Sequence, residues 1–419
     1  MAEVLAGSLA LPVWSGLLGC GTCPKALLVH GSCAWGALTF LAAVTARDFS
    51  TALWLRMLNG IMLSSMEPVS QSLIAEATAS SERGFYFGTL KFCNAMGWCV
   101  VGFYTTAISN LHVRLSATSQ VVGWRFAFGT VALLSLICSL AVAVFMKVPQ
   151  RLAGASQRGF ESGRRGELVT QELLNLRAVW SVNTFKLILI QGIFSGMTMS
   201  TLNFASMYFQ YCNFSDVQAA AIDRIGSFGL ALGFFLGGWV GDRLMAWSRF
   251  HGRPLAAQIS LLAAIPLSYY TYSWYPLELE PAAALNFGLW FSCSWVEAGV
   301  ARPMLTEIVA PEYWASAFAW AWLANFFFAA MFGAPVVGYL AEHVSGYRPT
   351  RLLVEQMPDE LRESNRQALS SSIARCCTGY LILCLCFSSL LHFTYRHDAN
   401  DEEDACHAER EQEPLSAYY

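Results

Sequence analysis

Apolar runs of about 20 residues recur along almost the whole chain, the length an α-helix needs to cross a bilayer core at about 1.5 Å per residue. Ten spans are read, at 25–46, 52–75, 84–108, 124–148, 185–211, 218–241, 254–274, 282–309, 314–341 and 373–395. Ahead of them, 4–19 is apolar but short and contains Pro12, so it is expected to be the end of a span. Only 13% of residues are charged, against about 25% in a soluble domain. That is too little polar surface to coat a globule. The fold class is therefore all-α: a polytopic, multi-pass integral membrane protein. Its 14 Trp suit rings anchored at two interfaces.

Several functions are excluded at this level. No basic patch points to nucleic acid, and 1–10 lacks the basic start and cleavage site of a signal peptide. Most of the 13 Cys lie in apolar runs and read as small hydrophobes. Cys20-Gly-Thr-Cys23 has metal or redox spacing but no second pair, so no metal or cofactor is expected. There is no G-x-x-x-x-G-K loop to cradle a nucleotide, and no His–Glu metal signature or Ser/His/Asp grouping for an enzyme.

Between 148 and 185 the composition changes: Arg151, Arg158, Arg164, Arg165 and Arg177 sit among Gly, Ser and Gln. Basic loops stay cytoplasmic, which places this linker inside. Counting spans puts Arg243, Arg249, Arg253 and the acidic tail from Asp398 to Glu413 inside too, and Glu278 and Glu280 outside. The segment 343–372 falls outside although it carries Arg348, Arg351, Arg362 and Arg366, balanced by Glu355, Asp359, Glu360 and Glu363. It reads as a solvated outer segment. The expected organisation is a first bundle at 1–148, truncated at its start, a linker at 149–184, a six-helix bundle at 185–396 and an acidic tail at 397–419.

A weak internal repeat relates the halves. Leu73-Ile-Ala-Glu76-Ala-Thr-Ala lies over Met304-Leu-Thr-Glu307-Ile-Val-Ala, and at the same shift Gly84–Phe87 lies over Ala315–Phe318. At a slightly smaller shift, Pro12 to Gly19 lies over Phe235 to Asp242. The second copy ends Gly237-Gly238-Trp-Val-Gly241-Asp242-Arg243, with Arg249, Gly252 and Arg253 following. Gly229, Gly233, Gly237 and Gly241 recur every fourth residue and make one smooth face for close helix packing.

These residues resemble the major facilitator superfamily of secondary transporters. There a G-x-x-x-D-R-x-x-G-R-R loop joins the second and third helices of each six-helix half. The second copy here keeps Gly238, Asp242, Arg243 and Arg253; in the first, Gly19 and Cys20 stand where Asp and Arg are expected. Arg56-Met-Leu-Asn59-Gly60 is similar to the family's fourth-helix R-x-x-Q-G motif, best known in proton-coupled antiporters. Gly123-Trp124-Arg125 resembles the start of its sixth helix and Gly333-Ala-Pro335…Gly338 its eleventh. The resemblance implies two pseudo-symmetric bundles, with about 11 of the usual 12 helices and the first lacking.

Ionisable groups in hydrocarbon cost at least about 2.5–3.5 kcal/mol each, so they persist facing a cavity or a partner. Glu67 and Lys91 fall at similar depth on neighbouring helices and can pair. Such a pair lines a pathway or only fixes packing. Glu297 sits mid-span with Arg302 nearer the cytoplasm, and the repeat puts it one residue from Glu67. Two acids at quasi-equivalent depth suit a midplane site able to carry a proton. Arg56, Asn94 and Asn325 complete the expected pathway for substrate or ion. Asp242 is expected to accept from the N-terminus of a facing helix and Arg243 to bridge the crossing, a latch with Gly238 and Arg253. The expectation is a secondary transporter in the lipid bilayer that moves a small solute, neutral or amphipathic, by alternating access, with protons as a candidate coupling ion. The alternative is a non-transporting membrane protein that kept the fold, favoured by the eroded first loop.

Overall fold

The computed structural model describes residues 2–109, 112–114, 120–148, 168–274 and 278–412 of the 419-residue chain. Arg151, Arg158, Arg164 and Arg165 of the linker lie outside the described residues, as does the end of the acidic tail.

The first half consists of α1 (Ala2–Gly19), α2 (Pro24–Thr45), α3 (Phe49–Leu63) continued by α4 (Met66–Ala77), α5 (Arg83–Ser109) and α6 (Gly123–Phe145). The second begins with α7 (Leu168–Ser181), then α8 (Asn183–Leu202) continued by α9 (Ala205–Tyr211), α10 (Asp216–Trp247) and α11 (Gly252–Ser273). α12 (Leu279–Cys293) and α13 (Arg302–Glu307) form one interrupted rod, as do α14 (Trp314–Phe328) and α15 (Ala334–Tyr339). α16 (Asp359–Gln412) ends the described chain. Among the described residues the rods number five in the first half and, with α7, seven in the second.

Among the described residues, seven helices or continuous rods are long and apolar enough to cross a membrane: 2–19, 24–45, 123–145, 183–211, 216–247, 311–344 and 359–402. The rods at 49–77, 83–109, 252–273 and 279–307 pack alongside these; the first and last are interrupted and 83–109 carries Lys91. α6 turns Leu133, Leu134, Ile137, Leu140 and Phe145 outward, an apolar face suited to acyl chains.

The structure corrects the sequence reading in four places. The run at 4–19, read as too short, is an unbroken 18-residue helix through Pro12 that is long and apolar enough to cross a membrane. A proline lacks one N–H, and a single rod can tolerate that loss where its neighbours are packed. Part of the hydrophilic linker folds as α7, whose Glu172, Asn175 and Val179 are buried against the bundles. The start of the acidic tail has no boundary at 397, because α16 runs on to Gln412. Finally, β1 (His112–Arg114) and β2 (Gln120–Val122) pair antiparallel in the connection between α5 and α6. That ribbon lies outside the hydrocarbon, where water can satisfy its open edges.

Small residues set how closely the rods approach. A Cβ at Gly229, Gly233 or Gly241 would stand 2.6, 2.3 or 2.4 Å from the carbonyl oxygens of Phe287, Phe291 and Gly299. One glycine face of α10 thus seats the α12–α13 rod. Gly238 faces the other way: its Cβ would stand 2.2 Å from the Gly84 carbonyl oxygen of α5. The two halves therefore cross backbone to backbone there, and α1 crosses α14 at the same end of the molecule.

Candidate functional site

Two rods are interrupted beside a shared cluster of charges. The α3–α4 rod breaks at Ser64–Ser65, so Glu67 falls in the first turn of α4. Free N–H groups and the helix dipole favour an anion there. In the other half, Val296–Ala301 winds as a π-helix between α12 and α13, and Glu297 lies within it. The π-turn takes in an extra residue, which accounts for the one-residue slip between the two acids. Glu67 and Gln71 are four apart, whereas their counterparts Glu297 and Arg302 are five apart.

Lys91 Nζ lies 2.8 Å from Glu297 Oε1 and 3.5 Å from Glu67 Oε1. Arg302 Nη2 lies 2.6 Å from Glu297 Oε1 and 3.7 Å from Glu67 Oε2. Each base thus touches both acids, one from its own half and one from the other. Gln71, fully buried, donates to Glu67 and accepts from Trp322 Nε1 at 3.1 Å. The Trp322 ring lies under both cations, 4.6 Å from the Arg302 guanidinium carbon and 5.4 Å from Lys91 Nζ. Arg302 is wholly buried, yet its Nε and Nη1 meet no acceptor among the described residues.

A pocket adjoins the cluster. Its walls include Gln191, Gly192 and Ser195 of α8, Glu297, and Trp322 and Asn325 of α14. Asn325 donates to the Gly192 carbonyl at 2.9 Å, which fixes its amide. Gln191 Nε2 is buried without an acceptor among the described residues. The wall therefore presents an indole face, a carboxylate and unsatisfied N–H donors.

Two expected pathway residues are not brought to this cluster. Arg56 pairs with Glu3 at 2.8 Å, with its side chain 48% exposed. Asn94 is exposed, three residues beyond Lys91 on α5. Gln71 and Gln191 were not expected, and Trp322 was one of several second-half aromatics that could wall a solute. Gln71 had a signal, because the repeat sets it opposite Arg302.

At the end that carries the linker, Asp242 accepts from the backbone N–H groups of Gly84 at 3.0 Å and Phe85 at 2.7 Å, in the first turn of α5. Arg253, wholly buried, donates to Asp242 Oδ1 at 3.0 Å, to the Ser80 carbonyl at 3.2 Å and to Glu307 at 3.2 Å. Arg253, not the expected Arg243, makes the bridge. The Arg243 guanidinium instead stacks on Trp239 of its own helix, 5.2 Å from the ring centre. Arg83 of the first half reaches Thr306 at 3.1 Å and lies 4.8 Å over the Trp314 ring.

This is a multi-pass membrane protein of two helical halves, with broken rods and paired charges where they meet. A profile of the Major Facilitator Superfamily matches residues 2–298. The chain belongs to that superfamily, a family of transporters rather than of enzymes. No curated protein sequence matches it significantly. Among solved structures it is similar to a bacterial homologue of the human lysosomal transporter Spinster in an inward-facing, unoccupied conformation. That match has a TM-score of 0.59 and 15% identity and covers 95% of this chain and 97% of the other. The proton:xylose symporter XylE, bound to 6-bromo-6-deoxy-D-glucose, matches with a TM-score of 0.62 and 16% identity over 91% and 83% of the two chains. FucP in its outward conformation matches with a TM-score of 0.57 and 14% identity over 91% and 88%. At these identities the likeness is one of fold.

Proposed function

We propose that the chain is a secondary transporter that exposes one central site alternately to the two sides of the membrane. The site is the Glu67–Lys91–Glu297–Arg302 cluster with the adjoining pocket. The observation that carries this reading is that each base is shared between an acid of its own half and an acid of the other. When the halves separate, Lys91 keeps Glu67 and Arg302 keeps Glu297. No charge is left buried and unpaired, which would cost about 3–5 kcal/mol. The cross-half pairs can therefore break and re-form at little cost, as a rocking machine needs.

The pocket sets the solute class. Two acids and two bases balance, so the cluster does not favour a multiply charged ion. The unsatisfied donor of Gln191 and the Trp322 face suit a small, uncharged polar solute with acceptor oxygens. Protons are the coupling ion in this reading. A proton on Glu297 cancels the charge that holds Lys91 across the halves, so protonation and rocking are linked through one atom pair. Positive-inside orientation makes the linker end cytoplasmic, and the Asp242–Arg253 latch then holds the cytoplasmic side shut. In this reading 2–148 and 183–396 are the two moving bundles.

The test is uptake into proteoliposomes holding the purified chain, with a panel of uncharged polar solutes and an imposed pH gradient. Uptake stimulated by an inward proton gradient and lost in Glu297→Gln supports the reading. Uptake indifferent to pH and potential removes the proton coupling. A second reading, a receptor or partner subunit that no longer transports, is favoured by the first loop, where Gly19 and Cys20 replace the Asp and Arg of the motif. No flux of any solute, in a protein that still binds one, would select it.

A further inference from the structure

The family motif is intact at one of its two places and eroded at the other. At the intact place α10 crosses α5. Asp242 at the end of α10 holds the N–H groups of Gly84 and Phe85 across the two halves. The repeat maps this crossing onto that of α1 with α14. There Gly19 stands for Asp242, Ser15 for Gly238, and Ala315 and Ser316 for Gly84 and Phe85. With no carboxylate in the loop after α1, the second crossing lacks its own acid.

A carboxylate is nevertheless present, supplied by a different element. Glu172 of α7 is 4% exposed and accepts three hydrogen bonds. Ser15 Oγ of α1 donates to Oε1 at 2.9 Å, Ser316 Oγ of α14 to Oε2 at 2.9 Å, and Trp320 Nε1 to Oε1 at 2.9 Å. Asn175, one turn further along α7, donates to Ser316 Oγ at 3.2 Å. Gly16 provides the room: a Cβ there would stand 3.1 Å from the Leu168 side chain and 3.5 Å from Cβ of Glu172. Two of the three donors, Ser15 and Ser316, are the repeat counterparts of Gly238 and Phe85 at the intact latch.

We propose that Glu172 is the positioning residue of a second cytoplasmic latch, replacing from the linker the acid that the first loop has lost. Its helix α7 lies in the linker and leads directly into α8 of the second half, and Ser316 and Trp320 anchor it there. The bond that must break when the halves part is the one from Ser15. The cytoplasmic side is then closed by two latches at pseudo-equivalent crossings, one built into a loop and one carried on α7.

The proposal rests on the alternating-access reading, and its test separates the two. Spin labels are introduced at Thr22 and Glu312 through bioorthogonal amino acids, so that the 13 native cysteines stay in place. Distances are read in nanodiscs. Glu172→Ala and Ser15→Ala each remove the cross-half bond to a charged acceptor, and the open cytoplasmic population is expected to rise about tenfold or more. Glu172→Gln can still accept from Ser15 and Trp320 and donate to Ser316, so it is expected to stay near the parent. Ser15→Ala guards against a folding defect, because it leaves Glu172 with its other partners. If Asp242→Asn opens the cytoplasmic end while Glu172→Ala and Ser15→Ala do not, Glu172 is not a latch and the proposal is overturned with alternating access intact. If no variant and no solute changes the distance, the alternating-access reading itself falls, and the proposal with it.

Discussion

Lys91 of the first half lies closer to Glu297 of the second half, at 2.8 Å, than to Glu67 of its own half, at 3.5 Å. Arg302 shows the opposite preference, at 2.6 Å from Glu297 and 3.7 Å from Glu67. Glu297 thus holds both cations in this state and Glu67 is the weaker partner, backed by Gln71. In the proposed cycle, separation of the halves would transfer Lys91 from Glu297 to Glu67, an exchange of partners and not the loss of an ion pair.

Removing one member breaks that balance. Glu297→Ala leaves Arg302, wholly buried, with its longer contact to Glu67 and the face of Trp322. Loss of one partner of a buried pair costs about 3–5 kcal/mol; these acids are part-exposed, so the lower end applies. Glu297→Ala is expected to lower the apparent melting temperature in detergent and to abolish transport. Glu67→Ala is expected to lower it less, because Glu297 still holds both bases. Equal losses in the two variants would contradict the unequal sharing.

The Asp242 latch makes a sharp contrast between two arginines of one motif. Arg253→Ala removes the donor to Asp242, Ser80 and Glu307 and is expected to open the cytoplasmic end and destabilise the fold. Among the described residues, Arg243→Ala removes a stacking contact on Trp239 and is expected to change transport less than about twofold, because surface substitutions away from such features stay within about 0.5 kcal/mol. Distance measurements and uptake on the two variants check this directly.

Close backbone approach gives a third prediction. In Gly238→Ala the new Cβ would lie 2.2 Å from the Gly84 carbonyl oxygen, a backbone atom that cannot step aside. The crossing must widen, and the closed cytoplasmic state is expected to lose population. Gly97→Ala on α5 meets nothing within 4 Å and is expected to be silent in the same distance measurement.

Glu172 adds a dependence on pH. Burial pushes its carboxyl above the ordinary value of 4.5, against the lowering effect of its hydrogen bonds from Ser15, Ser316 and Trp320. In the open state the group is solvated and returns toward the ordinary value. The closed state therefore binds a proton more tightly, and acidification favours closure. The effect develops as pH falls through the raised value and is complete below 4.5. Spin-label distances across the cytoplasmic end, followed against pH, are expected to shift toward the closed population in the parent and to lose this component in Glu172→Gln.

Much of this was legible in the sequence, because hydrocarbon admits few folds. Apolar run length placed the rods, the depths of Glu67 and Lys91 allowed their pairing, and the depth of Glu297 suited a shared site, whereas Arg302 was expected nearer the cytoplasm. The Asp242 contact followed from a glycine-lined helix end beside an acid. Other parts were hidden for physical reasons. Arg243 and Arg253 are both cations after one helix; which of them turns inward depends on the turn at 248–251. Glu172 sits in a polar stretch where an acid looks like any solvated residue, and only the packing of α7 against α1 and α14 buries it. Arg56 matched a family motif in sequence, but Glu3 and an exposed setting take it away from the cluster.

The most direct test of the central claim measures two distances in the same preparation. One label pair spans the cytoplasmic end at Thr22 and Glu312; the other spans the outer end at Asp48 and Glu278. Rocking of two halves about the Lys91–Glu297 contact predicts anticorrelation: conditions that lengthen the first distance shorten the second, and Asp242→Asn does so without solute. Two distances that stay fixed, or that lengthen together, would contradict it.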